Sequence, residues 1–120
     1  MPNPRLTDSQ RKELFAPLFE LIKSELKRLS DGDEKVLWAL RRKLTEELGY
    51  LERGTPAERN SLKKRMFQLQ EAKCPLCFNP MELKNSELDR FEAFLGYTES
   101  NVRLVHHECH IKDQEEKGYS

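Results

Sequence analysis

Four ligand-type side chains constrain this chain more than any hydrophobic pattern does. They fall into two matched pairs, Cys74-Pro75-Leu76-Cys77 and His106-His107-Glu108-Cys109, separated by 28 residues. Thiolate and imidazole are the donors of a tetrahedral zinc site, and a two-residue gap lets paired ligands grip one ion from a tight turn. The pairs therefore predict a structural, closed zinc site at Cys74, Cys77, His106 and Cys109. His107 stands beside His106 as a substitute ligand, and spacing alone leaves both open. Two of the three cysteines form a C-x-x-C pair near histidines, a pattern of metal ligation rather than of a secreted disulfide framework.

A staple of this kind answers a shortage of core. Hydrophobic residues are 37% of the 120-residue chain and charged residues 35%. Residues 74–120 hold few large apolar groups, and a metal site can supply folding free energy outright. The formal net charge is zero but unevenly placed. Residues 1–73 carry 16 Lys/Arg against 12 Asp/Glu, a net +4, and residues 74–120 carry 5 against 9, a net −4. A neutral total argues against coating nucleic acid through bulk charge, though not against a local basic face. No apolar run approaches the roughly 20 residues of a membrane span. Met1-Pro2-Asn3-Pro4-Arg5 does not read as a signal peptide, so a cytoplasmic location is expected.

Periodicity predicts three helices in the first half. Leu14, Leu18, Leu21, Ile22, Leu26 and Leu29 make one apolar stripe, with Pro17 predicting a start near Ala16 or a kink. Asp33 suits the cap of a second helix bearing Val36, Leu37, Leu40, Leu44 and Leu48, with Gly49 at its end. Thr55-Pro56-Ala57-Glu58 is a capping box that opens a third helix, expected to reach about Lys73. Trp38, Tyr50 and Phe67 read as core. The runs Arg41-Arg42-Lys43 and Lys63-Lys64-Arg65 read as solvated helix faces that could also reach phosphates. Beyond Cys77, residues 87–91 fit a short strand or a loop start, and residues 101–105 alternate like a strand. A last helix is expected from His106 to about Lys117, ending at Gly118. The fold class is α+β: a helical N-terminal region (1–54), then a helix plus zinc-binding module (55–120).

A C-x-x-C knuckle after a basic helix resembles the zinc-containing HNH endonucleases, the His-Me finger family. Their second half typically reads Asn-Leu-x-Leu-hydrophobic-Cys-x-x-Cys-His. Here Asn101-Val102-Arg103-Leu104-Val105-His106-His107-Glu108-Cys109-His110 keeps that register, with His106 in place of one Cys. The resemblance covers about Leu62 to Asp113 and implies a treble-clef, ββα zinc module. It implies that Asp89 and His110 hold a catalytic Mg²⁺ or another divalent cation, and that Asn101 braces the loop through backbone hydrogen bonds. Where the family has Asp-His at the end of the first strand, this chain has Asp89-Arg90.

That departure divides the functional expectation. A guanidinium stays protonated and cannot accept a proton from water, although it suits bidentate phosphate contact. Glu92 is the substitute base best placed by alternation, if the segment is extended, with His107 as another candidate. The first expectation is an HNH-like, metal-dependent DNA endonuclease or a nuclease-derived module acting on DNA, with RNA as another substrate. The alternative is a non-catalytic zinc module binding nucleic acid or a protein partner. The apolar stripes of the first half also suit a homodimer through the N-terminal helices.

Overall fold

Thr7 caps the first helical turn. Its Oγ1 accepts from the Gln10 amide at 3.1 Å, and the Gln10 side chain returns the bond to the Thr7 amide at 3.0 Å. The computed structural model describes residues 3–116. Helix α1 (Asp8–Gln10) leads through a π-helical turn (Arg11–Phe15) into α2 (Ala16–Ser30). Segment α2 begins at Ala16, the start that Pro17 predicts, although helical turns from Asp8 onward precede it. The Ala16 amide bonds the Arg11 carbonyl five residues back. This wider turn lies just where Pro17 offers no amide and its ring would crowd the preceding turn.

Asp31 ends α2 in the left-handed conformation, φ 48° and ψ 45°. Asp33 then caps α3 (Glu34–Arg53), its Oδ1 accepting from the Lys35 and Val36 amides at 2.9 and 3.2 Å. Gly49 lies inside α3 rather than at its end; Gly54, at φ +75°, follows the last turn. The chain divides into one unit up to Leu51 and a second from Glu52 onward. In the first unit Ser30 alone among the described residues is buried, while Ile22, Leu26, Leu37, Leu40 and Leu44 are half-buried. Trp38, expected in the core, is exposed with the Arg42 guanidinium over its ring. Tyr50 is half-buried, its hydroxyl 2.7 Å from Glu46.

The second unit starts with α4 (Pro56–Leu69), which carries the anticipated capping box of Thr55 and Glu58. It stops four residues short of Lys73 because Glu71 and Ala72 adopt φ of 54° and 59°. Two successive left-handed residues cannot continue a right-handed helix, and they turn the chain into Cys74. Strands β1 (Ser86–Arg90) and β2 (Val102–His106) form a two-stranded antiparallel sheet, pairing Ser86 with His106, Leu88 with Leu104 and Arg90 with Val102. Residues 87–91, undecided by sequence, are therefore mostly strand. Helix α5 (His107–Glu116) follows directly, so His106 closes the strand instead of opening the helix. The anticipated stop at Gly118 lies outside the described residues.

The core of this unit is small: Met66, Cys74, Met81, Val102, Leu104 and Val105. Leu62, Phe67, Leu83, Leu88 and Tyr97 pack around it. Leu104 and Val105 are fully buried, each contributing about 1.5–3 kcal/mol of apolar burial. Gln70, just past α4, donates to the Leu104 carbonyl at 2.8 Å and accepts from the Leu104 amide at 2.7 Å. The described residues contain no helix long and apolar enough to cross a membrane.

Candidate metal centre

Four local structures deliver one ligand atom each. The left-handed turn at residues 71–72 brings in Cys74, which is fully buried. The turn that follows carries Cys77; the Phe78 amide bonds the Cys74 carbonyl at 2.8 Å, and an isolated bridge joins Lys73 to Pro80. The end of β2 supplies His106, and the first turn of α5 supplies Cys109. The three Sγ atoms and one His106 ring nitrogen all lie within 4.8 Å of one another, so the group could hold a zinc ion.

The imidazole is oriented for that task. His106 Nε2 lies 3.1 Å from the Pro80 carbonyl, which can only accept, so Nε2 carries the hydrogen. Nδ1 then keeps its lone pair and lies 3.3 Å from Cys77 Sγ and 3.8 Å from Cys109 Sγ. Such an outer hydrogen bond fixes both tautomer and ring plane in metal-binding histidines. Burial pushes the Cys74 thiol up, but amide hydrogen bonds from His106, Cys77 and Leu76, with the His106 side chain, bring it down to about 6. Burial and the neighbouring sulfurs of Cys77 and Cys74 push Cys109 up to about 11. A divalent cation would relieve that crowding of sulfur.

His107 is turned away from the sulfurs and joins a second cluster. Its Nδ1 lies 3.0 Å from Glu87 Oε2. The other oxygen of Glu87 meets His110 Nδ1. On the far side of that ring, His110 Nε2 lies 3.2 Å from Asp89 Oδ1 and 2.9 Å from the Gln114 side-chain amide. Strand alternation puts Glu87 and Asp89 on one face of β1, and helical spacing puts His107 and His110 on one face of α5. Arg103, paired with Asp89 across the sheet, reaches Asp89 Oδ2 at 2.9 Å and Asp113 Oδ2 at 3.1 Å. The Asp89 and His110 side chains are only 13% and 16% exposed. Burial raises the Glu87 carboxyl, but hydrogen bonds and charge from His107 and His110 outweigh it and hold the group below its usual range.

Asp89 and His110 are thus brought together, whereas Arg90 and Glu92 are not part of the cluster. Arg90 leaves the opposite face of β1, donates to the Ala93 carbonyl at 3.1 Å and lies over the Tyr97 ring. Glu92 is bound through its backbone to Asn101. The buried Asn101 accepts from the Glu92 amide at 3.1 Å and donates to the Glu92 and Gly96 carbonyls at 2.8 and 2.7 Å. These bonds tie residues 92–96 to the start of β2. Sequence reasoning missed Glu87, Arg103 and Asp113. The signal was polar: Glu87 and Asp89 two apart, facing His107 and His110 three apart. No family model matches the chain, and no match emerges among curated proteins or solved structures.

Proposed function

We propose that the second unit is a zinc-stapled, HNH-like ββα module of treble-clef type that acts on DNA as a divalent-metal-dependent phosphodiesterase. Zinc at Cys74, Cys77, His106 and Cys109 is structural in this reading, since four protein donors leave no open position for substrate. The observation that carries the activity is the approach of His110 Nε2 to Asp89 Oδ1 at 3.2 Å while Glu87 engages Nδ1. With the ring hydrogen on Nδ1, a lone pair and a carboxylate oxygen face each other, an arrangement that a cation stabilises. With neutral imidazoles, Glu87, Asp89 and Asp113 set three negative charges against the single positive Arg103, a local net of −2. Asp89 and His110 would hold the divalent ion, whose chemistry is stabilisation of a scissile phosphate and its leaving oxygen. Asn101 keeps the loop after β1 in place, and Glu87 sets the tautomer of His110.

Arg90 and Arg103 favour a second reading, a non-catalytic zinc module that binds nucleic acid or a protein partner. Arg90 stands where the family has a proton acceptor, and its guanidinium is engaged by Ala93 and Tyr97. Arg103 already satisfies one oxygen of Asp89. Incubating the protein with plasmid and Mg²⁺, Mn²⁺ or Ni²⁺, beside His110→Ala, separates the two. Cleavage by the parent and none by the folded variant supports the nuclease. A retained DNA shift without cleavage supports the binder, and neither result removes DNA from both readings.

A further inference from the structure

We propose that the first unit is a dimerisation element in which the α2–α3 hairpin packs against the same hairpin of a second copy of this chain, forming a four-helix bundle. Residues 31–33 join α2 to α3, and of the aliphatic side chains on the two helices only Ile22, Leu26, Leu37, Leu40 and Leu44 are half-buried, none of them fully. A large apolar remainder stays in water. Leu14, Leu18, Leu21 and Leu29 are 61%, 53%, 61% and 56% exposed, and Leu48 and Leu51 are 51% and 85% exposed.

The area decides what kind of partner fits. Taking about 100–150 Å² for a Leu side chain and about 150–250 Å² for an aromatic one, these leucines with Phe15, Phe19 and Trp38 leave on the order of 600–900 Å² exposed. A typical monomer exposes a largest patch of roughly 300–600 Å². A stable interface buries roughly 800 Å² per partner, which the hairpin can supply.

Charge selects a second copy over a lipid surface. Residues 1–51 carry 10 Lys/Arg and 9 Asp/Glu, a net +1. Helices that lie on anionic membranes carry a strongly basic polar face. Much of the charge here is also paired within its own helix: Glu20 with Lys23 at 2.7 Å, Glu25 with Arg28 at 2.6 Å and Lys43 with Glu47 at 2.9 Å. A two-fold related hairpin would therefore meet an apolar stripe with self-neutralised flanks, as an isologous interface requires.

Sedimentation equilibrium of the full, zinc-loaded chain at about 100 µM tests this. The expected mass is twice the 14.2 kDa chain, and the double variant Leu18→Glu/Leu21→Glu should sediment as a monomer with its helical circular dichroism kept. A parent monomer, or any other stoichiometry, overturns the proposal. So does a parent that is monomeric alone and gains helix only on vesicles of phosphatidylcholine and phosphatidylglycerol. Should the variant fail to fold, hydrogen exchange of the unaltered chain at two concentrations still decides. Amide protection across α2 and α3 must rise with concentration, and protection independent of concentration overturns the dimer.

Discussion

His106 donates its Nε2 hydrogen to the Pro80 carbonyl at 3.1 Å, and that bond decides which ring nitrogen faces the thiols. His107, one residue later, is directed to Glu87 instead. His106→Ala should lose stoichiometric zinc, weakening the site by more than the roughly 10–100-fold cost of disturbing an outer partner. His107→Ala should keep one zinc per chain. Metal analysis of both folded variants is the measurement, and the reverse result would make His107 the ligand.

Chelation should act on one unit only. The core around Cys74 and β2 is small, and its closure depends on residues that the metal would bring together. Treatment with a strong chelator should raise amide exchange across β2 by about 100-fold or more while leaving α2 and α3 unchanged. Zinc should restore the protection. Exchange of β2 that ignores the chelator would show that the site contributes nothing to folding.

Asn101 makes three side-chain bonds to the backbone at once. Asn101→Ala would leave the Glu92 amide and the Gly96 carbonyl unbonded, and would leave the Glu92 carbonyl with the Leu95 amide alone. The expected loss is about 2–4 kcal/mol in urea unfolding, from unsatisfied buried polar groups. Asn101→Asp should also destabilise, because a carboxylate accepts but cannot donate to the two carbonyls. A loss below about 0.5 kcal/mol for either would contradict this account.

Two glycines with the same sign of φ should answer differently to a methyl group. Gly96 has φ +74° and ψ −169°, and a Cβ there would lie 2.9 Å from the Glu52 carbonyl oxygen. Gly32 has φ +81° with nothing within 4 Å of its Cβ position. Gly32→Ala should cost only the backbone strain, about 1–2 kcal/mol. Gly96→Ala should cost about 1–3 kcal/mol more, because a rigid carbonyl must move. Thermal or urea denaturation of the pair provides the comparison.

Acid should weaken α2 through Glu25. Arg28 donates to its carboxylate from Nε at 3.1 Å and Nη2 at 2.6 Å, and this hydrogen bonding, then charge, holds the carboxyl below the usual range. A depressed folded pKa stabilises above the unfolded value and is lost as pH falls through the folded one. Glu25→Gln should therefore be less helical than the parent at pH 7 and equal to it at strongly acid pH. The pair is fully exposed, so 1 M salt should erase most of the difference. Circular dichroism against pH reads the effect.

The most legible parts of the chain were those in which chemistry is local. Thr55 and Glu58 announce a capping box within four residues, and the Cys and His spacing announces a shared ligand group. The unexpected parts depend on conformation or on partners distant in sequence. Pro17 signals trouble for a helix but not that a π turn, Arg11–Phe15, will come just before it. Trp38 looks like core by size, yet it is 56% exposed, with the Arg42 guanidinium over its ring. Glu87 and Asp89 carry no hydrophobic alternation, so their common face becomes visible only once Arg103, His107 and His110 stand opposite.

Gln70 has a role that its place after a helix hides. By giving and taking one hydrogen bond each with the Leu104 main chain, its side-chain amide counterfeits a neighbouring strand at the middle of β2. A sheet two strands wide has an outer flank on each strand, and open flanks seed fibrils and swapped assemblies. Here the counterfeit occupies the central rung of the flank on β2. A strand arriving along β2 would have to evict Gln70 before it could zip, so that edge carries its own guard against polymerising.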